Sequence, residues 1–261
     1  MSFPVANFVG RVPDVKDSKN LPIETGYWSG GVLADDGCIY AAPFNALQIL
    51  KIDPKGGTTE LVGDKIPGRE KYHGGVLANG FVYFVPHNAE QILKFNTKTK
   101  HVEFVGSEYA GDKKWHGAAM GKDGCMYCAP YKQRNILKLD PNDNNRTSLD
   151  YIVEYDYVDD DDASLYSGCV AYKAFIYFIP FDSKNILKYE VDSEQCSRIA
   201  LGNIFASEGW KGGVLGPDNC IYGIPHKANQ ILRYDPSNLL TIFPTLLLVE
   251  FFQMSIKRNL I

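Results

Sequence analysis

One block recurs five times along the chain, and it limits what the chain can fold into. The copies read YWSGGVLADDGCIYAAPFNALQILKIDP, KYHGGVLANGFVYFVPHNAEQILKFNT, KWHGAAMGKDGCMYCAPYKQRNILKLDP, LYSGCVAYKAFIYFIPFDSKNILKYEV and GWKGGVLGPDNCIYGIPHKANQILRYDP. Their anchor tyrosines are Tyr40, Tyr83, Tyr127, Tyr177 and Tyr222, spaced by 43, 44, 50 and 45 residues. A fixed period in this range marks units that cannot bury their apolar faces alone and stack on their neighbours.

Each copy reads as four short strands. A small apolar strand such as Gly30 to Ala34 comes first. Asp36-Gly37, Asn79-Gly80 and Asp123-Gly124 then supply residues that tolerate the positive φ of a tight hairpin. A second strand ends at a recurring proline: Pro43, Pro86, Pro130, Pro180, Pro225. The third carries [QN]-I-L-[KR] in every copy, and Asp-Pro opens a turn after it at Asp53, Asp140 and Asp235. The fourth ends in glycine, as at Gly63 and Gly106. Four strands at this period predict an all-β fold, a β-propeller of four-stranded blades. The blades fall near residues 28–63, 72–106, 115–155, 166–202 and 210–236 of a single domain spanning 1–238.

The pattern resembles the propeller superfamily of NHL repeats, gluconolactonase-type (SMP-30-like) lactonases and streptogramin lyases, over about residues 5 to 236. The WD signature is absent, and the paired glycines lie in the inner strand rather than where kelch repeats carry them. The resemblance implies two possible chemistries. Streptogramin lyases use histidine and carboxylate with magnesium; the lactonases hold a metal with carboxylates and Asn. Neither set maps residue by residue here, and the inner strands lack the lactonase Glu and Asn.

Two segments stand outside the repeats. Ala6 to Gly10 (ANFVG) matches a fourth strand and is expected to close the last blade, removing a free edge. The competing architecture is a larger propeller cut short. Residues 239–261 form a divergent apolar tail that matches no copy. A capping strand, an amphipathic partner-binding end and out-of-frame translation all fit it, the last being favoured.

Two rings of repeat positions share one end of such a propeller. The residue after the blade aromatic gives Ser29, His73, His116, Ser167 and Lys211; the residue after the proline gives Phe44, His87, Tyr131, Phe181 and His226. Four of the five histidines fall in these rings. Preceding acids are Glu24, Glu70, Asp112, Asp162 and Glu208. The expected ligand-binding set is therefore His73, His116, His87, His226, Lys211, Tyr131, Phe44 and Phe181. No catalytic residue is assigned.

Asp156, Asp159 and Asp161 are weak metal candidates within an acidic stretch, Asp150 to Asp162, whose removal would turn the net charge from −4 to +3. That stretch lacks the alternating ligands and glycine of an EF-hand, so no cofactor is expected beyond a weakly supported divalent cation. Cys125 and Cys128 are three apart on a strand and point to opposite faces, while Cys38, Cys125 and Cys220 share one repeat position. Both facts predict structural thiols. The basic ring Lys51, Lys94, Lys138, Lys188 and Arg233 is expected on solvated faces or against carboxylates.

A pI near 5.8 and the absence of phosphate-binding loops argue against nucleic acid. Met1 to Gly10 has no signal-peptide pattern, and no apolar run reaches the length of a membrane span. Reduced thiols, a cytoplasmic location and a monomer are expected. The leading expectation is a non-enzymatic recognition module that binds a protein or a small polar ligand on the His-rich face. The alternative is a metal-assisted lyase or hydrolase acting at the central channel.

Overall fold

A computed structural model describes residues 26–143, 145–152 and 163–237, with only the backbone of 149–152. Blade one is β1 (Trp28–Leu33), β2 (Ile39–Pro43), β3 (Ile49–Asp53) and β4 (Thr58–Val62). Blade two is β5 (Tyr72–Ala78), β6 (Phe81–Pro86), β7 (Ile92–Asn96) and β8 (Val102–Val105). Blade three is β9 (Trp115–Met120), β10 (Met126–Pro130), β11 (Asn135–Asp140) and β12 (Arg146–Ile152). Blade four is β13 (Tyr166–Tyr172), β14 (Phe175–Pro180), β15 (Asn185–Glu190) and β16 (Gln195–Ala200). Blade five is β17 (Trp210–Leu215), β18 (Ile221–Pro225) and β19 (Leu232–Tyr234).

Every blade is an antiparallel meander, and the inner strands β1, β5, β9, β13 and β17 pack on one another in that order. The fold is an all-β, five-blade propeller. Blade five shows three strands among the described residues rather than the four expected. The segment expected to complete it, Ala6 to Gly10, lies outside the described residues, as do Glu24, Asp156, Asp159 to Asp162 and the tail.

The inner strands crowd at their glycines. A Cβ added to Gly30 would lie 2.9 Å from the Gly74 Cα, and the approach repeats from Gly74 to Gly117, Gly117 to Gly168 and Gly168 to Gly212. Only backbone fits there, and each of these glycines also has positive φ. The hairpin turns divide into two kinds. Asn79 and Gly80 both have positive φ, at 51° and 76°. In blades one and three only Gly37 and Gly124 do, because Asp36 and Asp123 instead turn their carboxylates onto the Cys38 and Cys125 amides and the Tyr40 and Tyr127 hydroxyls.

Alternation along each strand fills the seams between blades. Between blades four and five, Val170, Tyr177, Ile179 and Ile186 meet Trp210, Ile221, Leu232 and Tyr234, all buried. Burying one such side chain is worth roughly 1.5–3 kcal/mol. Cys38, Cys125, Cys128 and Cys220 are buried free thiols, and burial pushes Cys125 up to about 12. They pack, as their repeat position implied, and do not ionise near neutrality. The basic ring meets carboxylates and rings: Lys94 pairs with Glu103 at 3.1 Å, Arg233 with Asp218 at 3.2 Å, and Lys188 stands 3.8 Å over Phe175.

Gly168→Ala places a methyl against the Gly212 backbone at φ +84°, whereas Gly37→Ala, at φ +78°, meets nothing within 4 Å. The first is expected to lose about 2–5 kcal/mol of stability and the second about 1–2. Urea unfolding of both variants measures the inter-blade contact as their difference, and equal losses would refute it.

Candidate functional site: an aromatic arc at the axial mouth

One face of the propeller is stitched by a single backbone pattern. In each blade the residue after the proline donates its N–H to the carbonyl of the residue before the blade aromatic. The five pairs are Phe44 to Tyr27, His87 to Lys71, Tyr131 to Lys114, Phe181 to Leu165 and His226 to Gly209, at 2.8–3.1 Å. The carbonyl of that post-proline residue then accepts the matching N–H of the next blade: Lys71 to Phe44, Lys114 to His87, Leu165 to Tyr131 and Gly209 to Phe181, at 2.7–2.9 Å. The bonds form one zigzag through all five blades.

This zigzag sets the five post-proline side chains side by side. Phe44 and His87 have ring centroids 5.8 Å apart, His87 and Tyr131 5.7 Å, Tyr131 and Phe181 5.5 Å, Phe181 and His226 5.5 Å. Each spacing suits aromatic contact. The first ring of the sequence reading lies against this arc. His73 and His116 lie with centroids 3.2 Å apart and ring planes tilted by 34°, and His73 also meets Phe44 and His87. His116 stacks on Tyr131 at 5.1 Å. Phe44, His73, His87, His116, Tyr131, Phe181 and His226 are thus brought together. Lys211, exposed on β17, acts electrostatically on His73 and His116.

Burial decides the charge of this surface. It lowers His73 to about 3 and depresses His87 and His116, with neighbouring imidazoles and lysines adding to the effect. All three are neutral at pH 7. The His87 Nδ1 lies 3.0 Å from the Trp115 carbonyl, which can only accept, so Nδ1 carries the proton. His116 Nδ1 lies 3.0 Å from the hydroxyl of Ser167, which is fully buried. At the far end, Glu208 takes Lys227 at 2.7 Å and His226 at 3.8 Å, and the Lys227 hydrogen bond holds its carboxyl below the usual value.

The described residues do not form a metal cradle. No three His, Cys, Asp or Glu side chains among them converge as ligands would. Lys211 brings positive charge to the same mouth.

The sequence reading missed the zigzag and the two buried lysines that support it. Lys71 donates to the carbonyls of Phe44, Ala46 and Gly68 at 2.9–3.2 Å, and burial lowers it to about 8. Lys114 donates to the Gly111 carbonyl at 2.6 Å. Their signal was a lysine directly before the blade aromatic in the second and third copies, where the other copies carry Tyr27, Leu165 and Gly209.

Neither a protein family nor a curated protein matches the chain. Solved structures do match it. Virginiamycin B lyase from Staphylococcus aureus aligns with a TM-score of 0.63 at 17% identity, covering 82% of this chain and 69% of the lyase. A catalytically inactive histidine-to-alanine form of that lyase, with quinupristin, aligns with the same TM-score at 15% identity, over the same shares of both chains. A nidogen/laminin complex aligns with a TM-score of 0.60 at 12% identity, over 82% of this chain and 78% of that one. At these identities the likeness is one of fold, a β-propeller. No helix among the described residues is long and apolar enough to cross a membrane.

The buried imidazoles give the fold a pH dependence of known sign. Below about pH 6.5 the unfolded chain protonates these histidines while the folded chain holds them neutral, so stability present above that pH is lost as pH falls. Each histidine contributes a slope of up to ~1.4 kcal/mol per pH unit. Urea titrations between pH 7 and 4.5 should show this decline, and a shallower one in His116→Gln. Equal slopes in the two proteins would count against the assignment.

Proposed function

We propose that the chain is a recognition module whose axial mouth takes a small polar ligand with a planar ring, or a protein side chain of that character. The aromatic arc from Phe44 to His226 carries the reading. An unbroken run of ring faces and edges offers stacking to a planar group, and neutral imidazoles beside it offer hydrogen bonds without a charge to desolvate. Lys211 adds a single ammonium at one side, favouring an acidic substituent on the ligand. Rigid blades that present such side chains at loop positions suit recognition.

A second reading has one specific observation behind it. Three histidines share a mouth in a fold like that of a lyase whose histidine-to-alanine form is inactive. For acid–base chemistry the protonation states are unfavourable, because an imidazole held far below its ordinary pKa is a weak base at pH 7. Quinupristin incubated with the protein, with and without magnesium, and followed by chromatography tests this reading directly; conversion that disappears in His116→Ala would replace the binding proposal.

A thermal-shift screen of small aromatic acids and amides is the test of binding. A ligand present at 100 times its Kd should stabilise the fold by about 2.7 kcal/mol. That shift should vanish in the His73→Ala/His116→Ala double variant and weaken in Lys211→Ala. A shift that survives the double variant would move the ligand off this mouth.

A further inference from the structure

The ring of described blades is open, and one of its walls is a finished seam face with none of the described residues packed against it. Four positions in each blade face the next blade. The isoleucine of the third strand is 0–1% exposed at Ile49, Ile92, Ile136 and Ile186, but 67% exposed at Ile231. The residue before the proline is fully buried at Ala42, Val85, Ala129 and Ile179, but 49% exposed at Ile224. Val32, Val76 and Val170 are 7–8% exposed, and Val214 is 53%. The anchor tyrosine is buried in blades one to four and half-buried at Tyr222. Gly212, unlike the four glycines before it, has nothing within 4 Å of its added Cβ. A contiguous apolar face of this kind marks a contact surface.

Where the chain leaves this face identifies what covers it. Ser237 N–H donates to the Asp235 carboxylate at 2.9 Å. The same turn at Asp53, Asn96 and Asp140 carries the chain from the third strand directly into the fourth. In those blades the chain beyond the turn runs back along the third strand, reaches the isoleucine (Val62 opposite Ile49, Val105 opposite Ile92) and then enters the blade that covers the seam. In blade five the residues that follow are Leu239 to Phe252, LLTIFPTLLLVEFF, with one charge in fourteen positions.

We propose that the open face of blade five, formed by Val214, Tyr222, Ile224 and Ile231, is the docking surface for the chain's own apolar segment Leu239 to Phe252. The face needs an apolar cover, the segment is mostly apolar with one charge, and in sequence it stands where the other copies go on to the covering blade. Covering it this way gives blade five the partner that its four predecessors find in the next repeat.

Thiol labelling in the full-length chain tests this. Ile231→Cys replaces a side chain that is freely accessible unless something covers it, and Ser193→Cys is an exposed reference. Maleimide labelling resolved by peptide mass should be at least about tenfold slower at position 231 than at position 193. The Leu247→Asp/Phe251→Asp double substitution in the tail should bring the two rates together. Ile224→Cys serves as a second probe if the first variant does not fold by near-UV circular dichroism. Equal rates in the parent chain overturn the proposal. So does slow labelling that survives the tail substitutions: sedimentation at two concentrations then assigns the cover to a second copy if protection follows association, and to the Ala6 to Gly10 segment if it does not.

Discussion

The structure depends on one backbone zigzag. Each blade takes its neighbour's amide with the carbonyl of its post-proline residue and fastens that residue's own amide to its inner strand. No side chain need be specified for these bonds, so the face can vary in chemistry while its geometry stays fixed. That freedom explains why the post-proline position holds phenylalanine, histidine or tyrosine at nearly constant ring spacing. The proline before it contributes as well. Its fixed φ ends the second strand and its missing N–H stops the ladder there, which leaves the next amide free for the zigzag.

Directly beneath, the glycine column sets how close the blades can come. Gly30, Gly74, Gly117, Gly168 and Gly212 bring inner strands to backbone contact, and that contact drives the side chains of the residue before each glycine into one small mouth. His73 and His116 are neighbours because Gly74 and Gly117 are. Their burial, and hence their neutrality, follows from packing rather than from any partner charge. Lys71 and Lys114 follow the same logic in reverse: each is a cation kept inside by carbonyl oxygens instead of a carboxylate. Such carbonyls are available only where loops curl around the zigzag.

Much of this was legible in the sequence because repetition carries it. Equivalent positions predicted the blades, the place of the paired glycines in the inner strands, the buried thiols at Cys38, Cys125 and Cys220, and the two rings that form the mouth. The repeat could not show what depends on a blade having neighbours. Ile231 reads the same as Ile49 in the chain, yet one is 67% exposed and the other fully buried. Nor could it show the charge state of the histidines. Burial among the neighbouring rings sets it, lowering His73 to about 3.

The open seam and the aromatic arc are consequences of one another. The zigzag ends at His226 among the described residues, and the arc ends there too. A closed ring would surround the axial mouth and admit a ligand only along the axis. Among the described residues the arc runs from Phe44 in blade one to His226 in blade five, where Glu208 and Lys227 stand beside it. The asymmetry belongs to the ends of the repeat array and not to any single repeat, so the chain's most specific surface arises where its periodicity stops.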